Sequence, residues 1–459
     1  MSSLSLWLRE PRAIVHLAVP LALTHLSYMA IMMTDVIMMG WIGTEAIAAG
    51  ELARTFYWVF TAFAMGVLTG ATPIMAQHLG ARRFRGIRPT MRNAAWLAVC
   101  LTIPVSFISW YSGPILVFLG QDQQVADDGQ AYLRWLLWGL VPSLWFAVLT
   151  EFLAAHTRPR AVLVITVCGI GLNALLDYTL MFGNFGAPNM GLEGAGIASL
   201  VVNWVMFTAL LVFIVRDRKF RRYRLLGRFW RIKWPVIGEI VKVGTPIAFI
   251  EIAEMGMYFV TTSMMGRLGV EALAAHAVTG QCYGFVFMIP VGLAQAGAVR
   301  VGRAAGARHP DGVVRAGWTA TALAGLIAVL PVMVFWFAGR SVAGLILDPA
   351  DAANTEALNL AAVLLSVAAF FMIADAVQIA ARGALQGLKD TTVPMLIAVG
   401  TSAGLGFPIA YVLGFELKLG GAGIWAGMAS AMLGASILMT LRFRRQSRRF
   451  AAEIAATAA

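Results

Sequence analysis

Twelve times along this 459-residue chain an apolar run of about 20 residues recurs, and that repetition limits what the chain can fold into more than any single motif does. The runs fall at 14–39, 52–78, 93–112, 131–155, 161–182, 193–215, 238–265, 278–298, 317–338, 357–381, 393–414 and 421–441. About 20 apolar residues in a helix cross the ~30 Å hydrocarbon layer of a bilayer. Inside that layer only helices and closed barrels satisfy every backbone N–H and C=O. The chain therefore reads as an all-α integral membrane protein of twelve transmembrane helices. Composition agrees: 59% of residues are apolar and 13% charged, about half the charged share of a soluble domain.

A net charge of +12 can be the footprint of a nucleic-acid binder. Its distribution argues otherwise, because the basic residues crowd into alternate gaps between the runs. After the second run stand Arg82, Arg83, Arg85, Arg88 and Arg92, and after the fourth Arg158 and Arg160. The gap after the sixth carries Arg216, Arg218, Lys219, Arg221, Arg222, Arg224, Arg228, Arg231 and Lys233. Arg300, Arg303, Arg308 and Arg315 follow the eighth run, Lys389 the tenth, and Arg442, Arg444, Arg445, Arg448 and Arg449 the last. The other gaps are neutral or acidic, as in QDQQVADDGQ and DPADAANTEA. Lys and Arg near helix ends resist translocation, so both termini are expected in the cytoplasm of a bacterial cell, with the chain multi-pass in the inner membrane. The first run lacks a basic leader and a small-residue cleavage site and is expected to be retained. Cys100, Cys168 and Cys282 lie apart in apolar runs, in no pattern that suggests a disulfide framework or zinc site. The partners implied are membrane lipids and a small organic substrate, with no nucleic acid, no cofactor beyond a coupling ion, and a monomer as the expected state.

The chain also repeats itself. MMGWIGTEAIAAG (38–50) lies on MMGRLGVEALAAH (264–276) at an ungapped shift of 226, which also brings Pro20 onto Pro246, Gly66 onto Gly292 and Gly80-Ala81-Arg82 onto Gly306-Ala307-Arg308. Six spans per repeat is an even number, so the halves share one orientation, a parallel duplication used by transporters with a site near mid-membrane. The expected organisation is an N-lobe at 1–215 with helices 1–6, a basic linker at 216–236, a C-lobe at 237–445 with helices 7–12, and a tail at 446–459.

Ionisable side chains inside spans are functional hypotheses by default, and the ones standing well inside these runs are acids: Asp35 in the first, Asp177 in the fifth, Glu251 and Glu254 in the seventh and Asp375 in the tenth. No Lys or Arg is expected in the middle of a span. Carboxylates in an apolar lining favour whatever cation relieves their desolvation, whether a proton, Na⁺ or an organic cation. Asn173 and Asp177 share a helix face at i,i+4 and with Asp35 would give the oxygen-rich shell a small cation prefers; the other reading is a hydrogen-bonded helix contact. Glu254 and Tyr258 are likewise i,i+4, and Asp375 and Gln378 i,i+3, whereas Glu251 can face either a lumen or a neighbouring helix. Glu151 stands near the basic end of the fourth span, where it can either pair with Arg158 or contact substrate. Pro20 removes a helix hydrogen bond fifteen residues before Asp35 and is a candidate hinge. His25 and His276 have no second ligand at metal spacing.

Several motifs together resemble the multidrug and toxic compound extrusion (MATE) family, in its NorM branch: DAVQIAARGALQGLKDT from Asp375, GTPIAFIEIAE ending at Glu254, ALAAHAV around His276 with IPVGLAQAGAVRVG after it, and TDVIMMGWIG containing Asp35. The resemblance covers about residues 12–445. It implies two six-helix lobes that rock to export cationic, often aromatic compounds in exchange for Na⁺ or H⁺. It also implies a C-lobe cation site at Glu254 and Asp375, and an N-lobe site at Asp35, Asn173 and Asp177. A sixth-helix hydroxyl of the family pattern matches either Ser199 or Asn203, and both lobes carry their acids, so which lobe couples stays open. The nearest rival is a flippase for lipid-linked precursors, which should line its cavity with cations to hold pyrophosphate. An intramembrane enzyme is disfavoured because no HExxH or GxGD segment lies in a span.

The charge alternation makes a direct prediction. A reporter fused after Arg224 or at the C-terminus is expected to be cytoplasmic and one in QDQQVADDGQ external, measured by paired phosphatase and fluorescent-protein fusions; finding the two on one side would refute twelve spans.

Overall fold

The computed structural model describes residues 3–458 apart from 222, 226, 228, 349, 350, 352 and 353. Arg222 and Arg228 of the basic linker and part of DPADAANTEA therefore lie outside the described residues. Twelve long helices carry the chain, with no strand among the described residues: α1 Ser3–Ile42, α2 Thr44–Gly80, α3 Phe84–Trp110, α4 Gln123–Trp138 with Leu140–Ala155, α5 Arg160–Phe182, α6 Gly191–Arg216, α7 Trp234–Gly266, α8 Val270–Gly306, α9 Pro310–Ala343, α10 Thr355–Gly387, α11 Thr392–Glu416 and α12 Gly420–Ala458. Ten of these pass as spans by length and hydropathy, and α4 makes an eleventh once its two segments, bent by 49°, count as one. The other long helix, the 33-residue α7, carries Glu239, Lys242, Glu251 and Glu254. α11 contains two π-helical stretches, Ser402–Gly406 and Val412–Glu416. Pro408, just after the first, cannot donate to a preceding carbonyl, a lesion that wider π turns accommodate.

The internal repeat is visible in the backbone. Gly43 and Gly269, which precede α2 and α8, have φ of 153° and 121°, and Arg82 and Arg308, which follow them, both have φ of 54°. These are the same two turns 226 residues apart. In each, paired backbone hydrogen bonds close the helix end, Arg82 N to Leu79 O with Arg83 N to His78 O, and Arg308 N to Ala305 O with His309 N to Ala304 O.

The packing divides the chain differently from the repeat. One compact unit comprises residues 1–22 with 249–459, and the other residues 23–248. Helix α1 thus changes unit two residues after Pro20, and α7 changes unit two residues after Pro246. In the first unit the start of α1 is held by Glu10, which is buried and accepts from Arg300 Nε of α8 at 2.8 Å and from Arg315 Nε of α9 at 3.4 Å. Farther along, Ala18 and Ala22 pack against Gly292 of α8: a methyl placed on Gly292 would stand 2.8 Å from Ala22 Cβ and N. The second unit shows the corresponding arrangement. Lys233 N, just before α7, donates to Asn93 Oδ1 of α3 at 2.7 Å. A methyl on Gly66 of α2 would stand 2.6 Å from Ala248 Cα of α7. Gly66 with Ala248 and Gly292 with Ala22 are one contact made twice at the repeat offset. Lipid offers helices no hydrophobic drive to associate, so close approach of small residues supplies the attraction instead.

Because backbone atoms oppose both glycines, neither site can yield by turning a side chain. Gly66→Ala and Gly292→Ala are each expected to destabilise the folded chain by about 1–3 kcal/mol, read as a lowered thermal unfolding midpoint in detergent. An unchanged midpoint in both would show that these crossings tolerate a methyl and do not hold the helices together.

Candidate functional site

In the unit of residues 23–248, α1 and α5 bring three side chains together. Asn173 and Asp177 sit one turn apart on the inner face of α5, and both are 0% exposed; Asp35 of α1 is 5% exposed. The Asn173 amide nitrogen donates to Asp35 Oδ1 at 2.6 Å and to Asp177 Oδ2 at 2.5 Å, bridging the two carboxylates. Asn173 Oδ1 and Asp177 Oδ1 are buried and have no hydrogen-bond partner among the described residues. On α6 the Ser199 hydroxyl faces Asp35, whereas the Asn203 amide lies against Gly139 of α4. Of the two sixth-helix side chains left open by the sequence, the geometry favours Ser199. Arg54 of α2 acts on Asp35 through space but is itself ion-paired with Glu51. Glu151 accepts from the Thr72 hydroxyl, and Arg158, one of the two partners open to it in the sequence, pairs with Asp217 at 3.2 Å. Asp217 stands at the turn that ends α6.

The unit of residues 1–22 and 249–459 holds the second set. Glu254 of α7 is ion-paired with Arg382 of α10 at 2.5 Å, both side chains mostly buried. Asp375, two turns before Arg382 on the same helix, is 4% exposed and accepts from the Tyr283 hydroxyl of α8, and it senses the charges of both Glu254 and Arg382. Gln378 is also buried, with its Oε1 unpartnered among the described residues. Glu251 is half-buried. Tyr258 is 42% exposed and stacks on His276, ring centroids 4.9 Å apart. The protonation of that histidine follows from its neighbours. Trp425 Nε1–H can only donate, and it meets His276 Nδ1 at 3.1 Å, so Nε2 carries the hydrogen and donates to Thr262 Oγ1 at 2.9 Å. The Thr262 hydroxyl then donates to the Tyr258 carbonyl at 2.9 Å. His276 is a helix-to-helix connector that positions the exposed tyrosine ring.

Comparison with known proteins fits this duplicated frame. The MatE family model matches residues 20–179 and 246–412, two segments that begin at the paired prolines. The chain belongs to the MATE family. A probable multidrug resistance protein NorM of Brucella suis is 39% identical over 97% of this chain and 95% of its own length, and one of Synechocystis is 34% identical over 95% of each. Among solved structures, the Vibrio cholerae MATE transporter VcmN superposes with a TM-score of 0.88 at 15% identity, covering 96% of this chain and 98% of that one. The eukaryotic MATE transporter AtDTX14 gives 0.84 at 22% identity over 98% and 99%.

One expectation for this MATE chain needs correction. The acids were expected without a basic partner in mid-span, yet Arg382 neutralises Glu254. The apolar run ends at 381, but α10 continues to Gly387, so Arg382 stays on the helix, seven residues and two turns beyond Asp375 on one face. Its long side chain reaches back to α7. Arg54 likewise lies within α2, paired with Glu51. The i,i+7 spacing of Asp375 and Arg382 was the signal available in the sequence; nothing there pointed to Tyr283.

The ion pair can be tested apart from transport. Breaking a buried pair leaves an uncompensated charge, while replacing both partners does not. Arg382→Gln and Glu254→Gln are each expected to lower the unfolding midpoint, and the double variant to lose clearly less than the sum, a coupling of about 1–3 kcal/mol. Losses that add would show that the two side chains do not support each other.

Proposed function

We propose that this chain is a secondary multidrug exporter of the bacterial inner membrane, both termini cytoplasmic, that exchanges protons for organic cations at Asp35, Asn173 and Asp177. The observation that carries the reading is the Asn173 amide held between two buried carboxylates. Two negative charges that close, out of water, repel strongly, and one bound cation relieves the repulsion. A proton fits the geometry as it stands, because the amide nitrogen, not its oxygen, faces both acids. The C-lobe acids have protein partners already: Arg382 on Glu254 and Tyr283 on Asp375. Among the in-span acids, Asp177 of the N-lobe cluster is the one with a buried carboxylate oxygen that has no hydrogen-bond partner among the described residues.

Coupling follows from what each protonation state does to α1. With the dyad charged, Asp35 and Asp177 push α1 and α5 apart; with a proton between them the same pair becomes a hydrogen-bonded contact. Helix α1 carries that change toward Pro20, where its packing passes to the other unit. Pro20 acts as the hinge in this reading. Tyr258, Glu251 and Gln378 are assigned to substrate contact, since an exposed aromatic face attracts organic cations. The relatives named as probable multidrug resistance proteins support export, and Arg54 and Arg382, the arginines beside the two acid sets, are paired with acids, which disfavours a pyrophosphate-holding flippase. No cofactor beyond the coupling ion and no nucleic acid enters the cycle, and one chain suffices.

Everted vesicles containing the protein, with ethidium added outside as the aromatic cation, separate the choices. A pH gradient alone is expected to drive ethidium movement, and Asp35→Asn to lower the rate at least ~100-fold while leaving the protein in the membrane, since a group that must carry the ion has no substitute. Transport driven by a Na⁺ gradient and not by pH would replace the proton with Na⁺, bound by the oxygens of the same trio with the amide turned over. Undiminished transport in Asp35→Asn would remove the N-lobe site from coupling.

A further inference from the structure

The linker between α6 and α7 is not a loose tether. Phe220 packs edge-on to Phe152 of α4 at 5.2 Å, and the Tyr223 hydroxyl meets His156 Nε2 at 3.0 Å. Farther along, the Gly227 carbonyl accepts from Arg88 Nη2 of α3. The Phe229 carbonyl accepts from Trp96 Nε1 at 2.9 Å, with the two rings 5.6 Å apart. Lys233 N, finally, is held by Asn93. The strap is thus fixed along the first three turns of α3.

This fixation gathers like charges. Arg88 and Arg92 are i,i+4 on α3, a spacing at which two cations destabilise a helix, and Arg92, 6% exposed, faces the charge of both Arg88 and Arg231. Among the described residues neither Arg88 nor Arg231 forms an ion pair with a carboxylate, and Arg88 Nε is buried with no hydrogen-bond partner. The sequence holds no acid between Glu51 and Asp122, nor between Asp217 and Glu239. Beside the arginines the strap turns large apolar side chains outward: Trp230 is 74% exposed, Trp234 71% and Ile232 40%. Tryptophan exposed at the end of a spanning helix belongs at the level of lipid headgroups.

We propose that Arg88, Arg92 and Arg231 form a binding site for the phosphate of an anionic phospholipid, with Trp230 and Trp234 seated among the acyl chains and headgroups around it. Guanidinium groups match phosphate oxygens with paired hydrogen bonds, and a phosphate at this cluster gives Arg88 and Arg231 the anionic partner that no carboxylate among the described residues supplies. Basic pockets between helices at a membrane surface recognise headgroups by this chemistry. The exposed tryptophans favour a lipid over a free anion, because a dissolved phosphate leaves them without an apolar neighbour. A bound headgroup bridges α3 to the strap that leads into α7.

Native mass spectrometry of the detergent-solubilised full chain, with phosphatidylglycerol or phosphatidylcholine added at low ratio, tests this. Preferential retention of phosphatidylglycerol is expected, weakened about fivefold in each of Arg88→Gln and Arg231→Gln and unchanged in Arg224→Gln, a linker arginine outside the cluster. Trp230→Ala should also reduce retention, a change a free-anion site would not register. Equal retention of the two lipids, or equal retention in the parent and the arginine variants, would overturn the proposal. So would displacement of the lipid by millimolar inorganic phosphate together with an unaffected Trp230→Ala, which would make the site one for a soluble anion.

Discussion

Hydrocarbon offers a polar atom no water, and the arrangement of this protein follows from where each such atom finds a partner. Backbone groups find theirs within the helices, which is why the described chain is nearly all helix. Hydroxyls turn back to the carbonyl one turn earlier, as Thr166 does to Val162, Thr261 to Met257 and Thr279 to Ala275. Asp35, Glu254, Asp375 and His276 find their partners instead across helices. Asp35 is tied to α5 through Asn173, Glu254 to α10 through Arg382, Asp375 to α8 through Tyr283, and His276 to α7 and α12 through Thr262 and Trp425. These links specify which helix faces which, something lipid-facing leucines cannot do.

The acids within this scheme differ in kind. Glu254 has a guanidinium and Asp375 a phenol, both permanent parts of the chain. Asp35 and Asp177 share one amide and face each other, with the Ser199 hydroxyl beside Asp35 and Arg54 acting on it from a distance, and Asn173 Oδ1 and Asp177 Oδ1 have no hydrogen-bond partner among the described residues. A carboxylate paired within its own protein ties two helices together; in the reading proposed above, two carboxylates that share one amide take up a mobile ion. That contrast separates the two lobes in chemistry although the duplication made them alike in form.

Much of this was legible in the sequence. Apolar run length and the alternating basic gaps yield the helices, and the 226-residue shift yields the repeat, including the glycines at positions 66 and 292 and the turns at Arg82 and Arg308. The Asn173-x-x-x-Asp177 spacing already placed both side chains on one face, and Asp35 joined them. Less was legible where a contact depends on three-dimensional register. Arg382 lay one residue past the apolar run and so escaped notice, although the helix continues through it. Ser199 and Asn203 differ by one turn on α6, and only packing against Gly139 turns the second away. The exchange of helix halves was hidden as well, because a shift of 226 shows which residues correspond and not which ones touch.

That exchange makes each repeat depend on the other. The second helix of each repeat packs its glycine against the first helix of the other repeat, Gly66 on Ala248 and Gly292 on Ala22. A single six-helix repeat lacks the partner for that glycine and has a first helix whose opening turns belong elsewhere. Two copies of such a repeat would complete each other by trading those opening turns, the logic of a domain swap. The basic strap of residues 216–236 joins the two repeats into one polypeptide, so that each glycine finds its partner helix within a single chain.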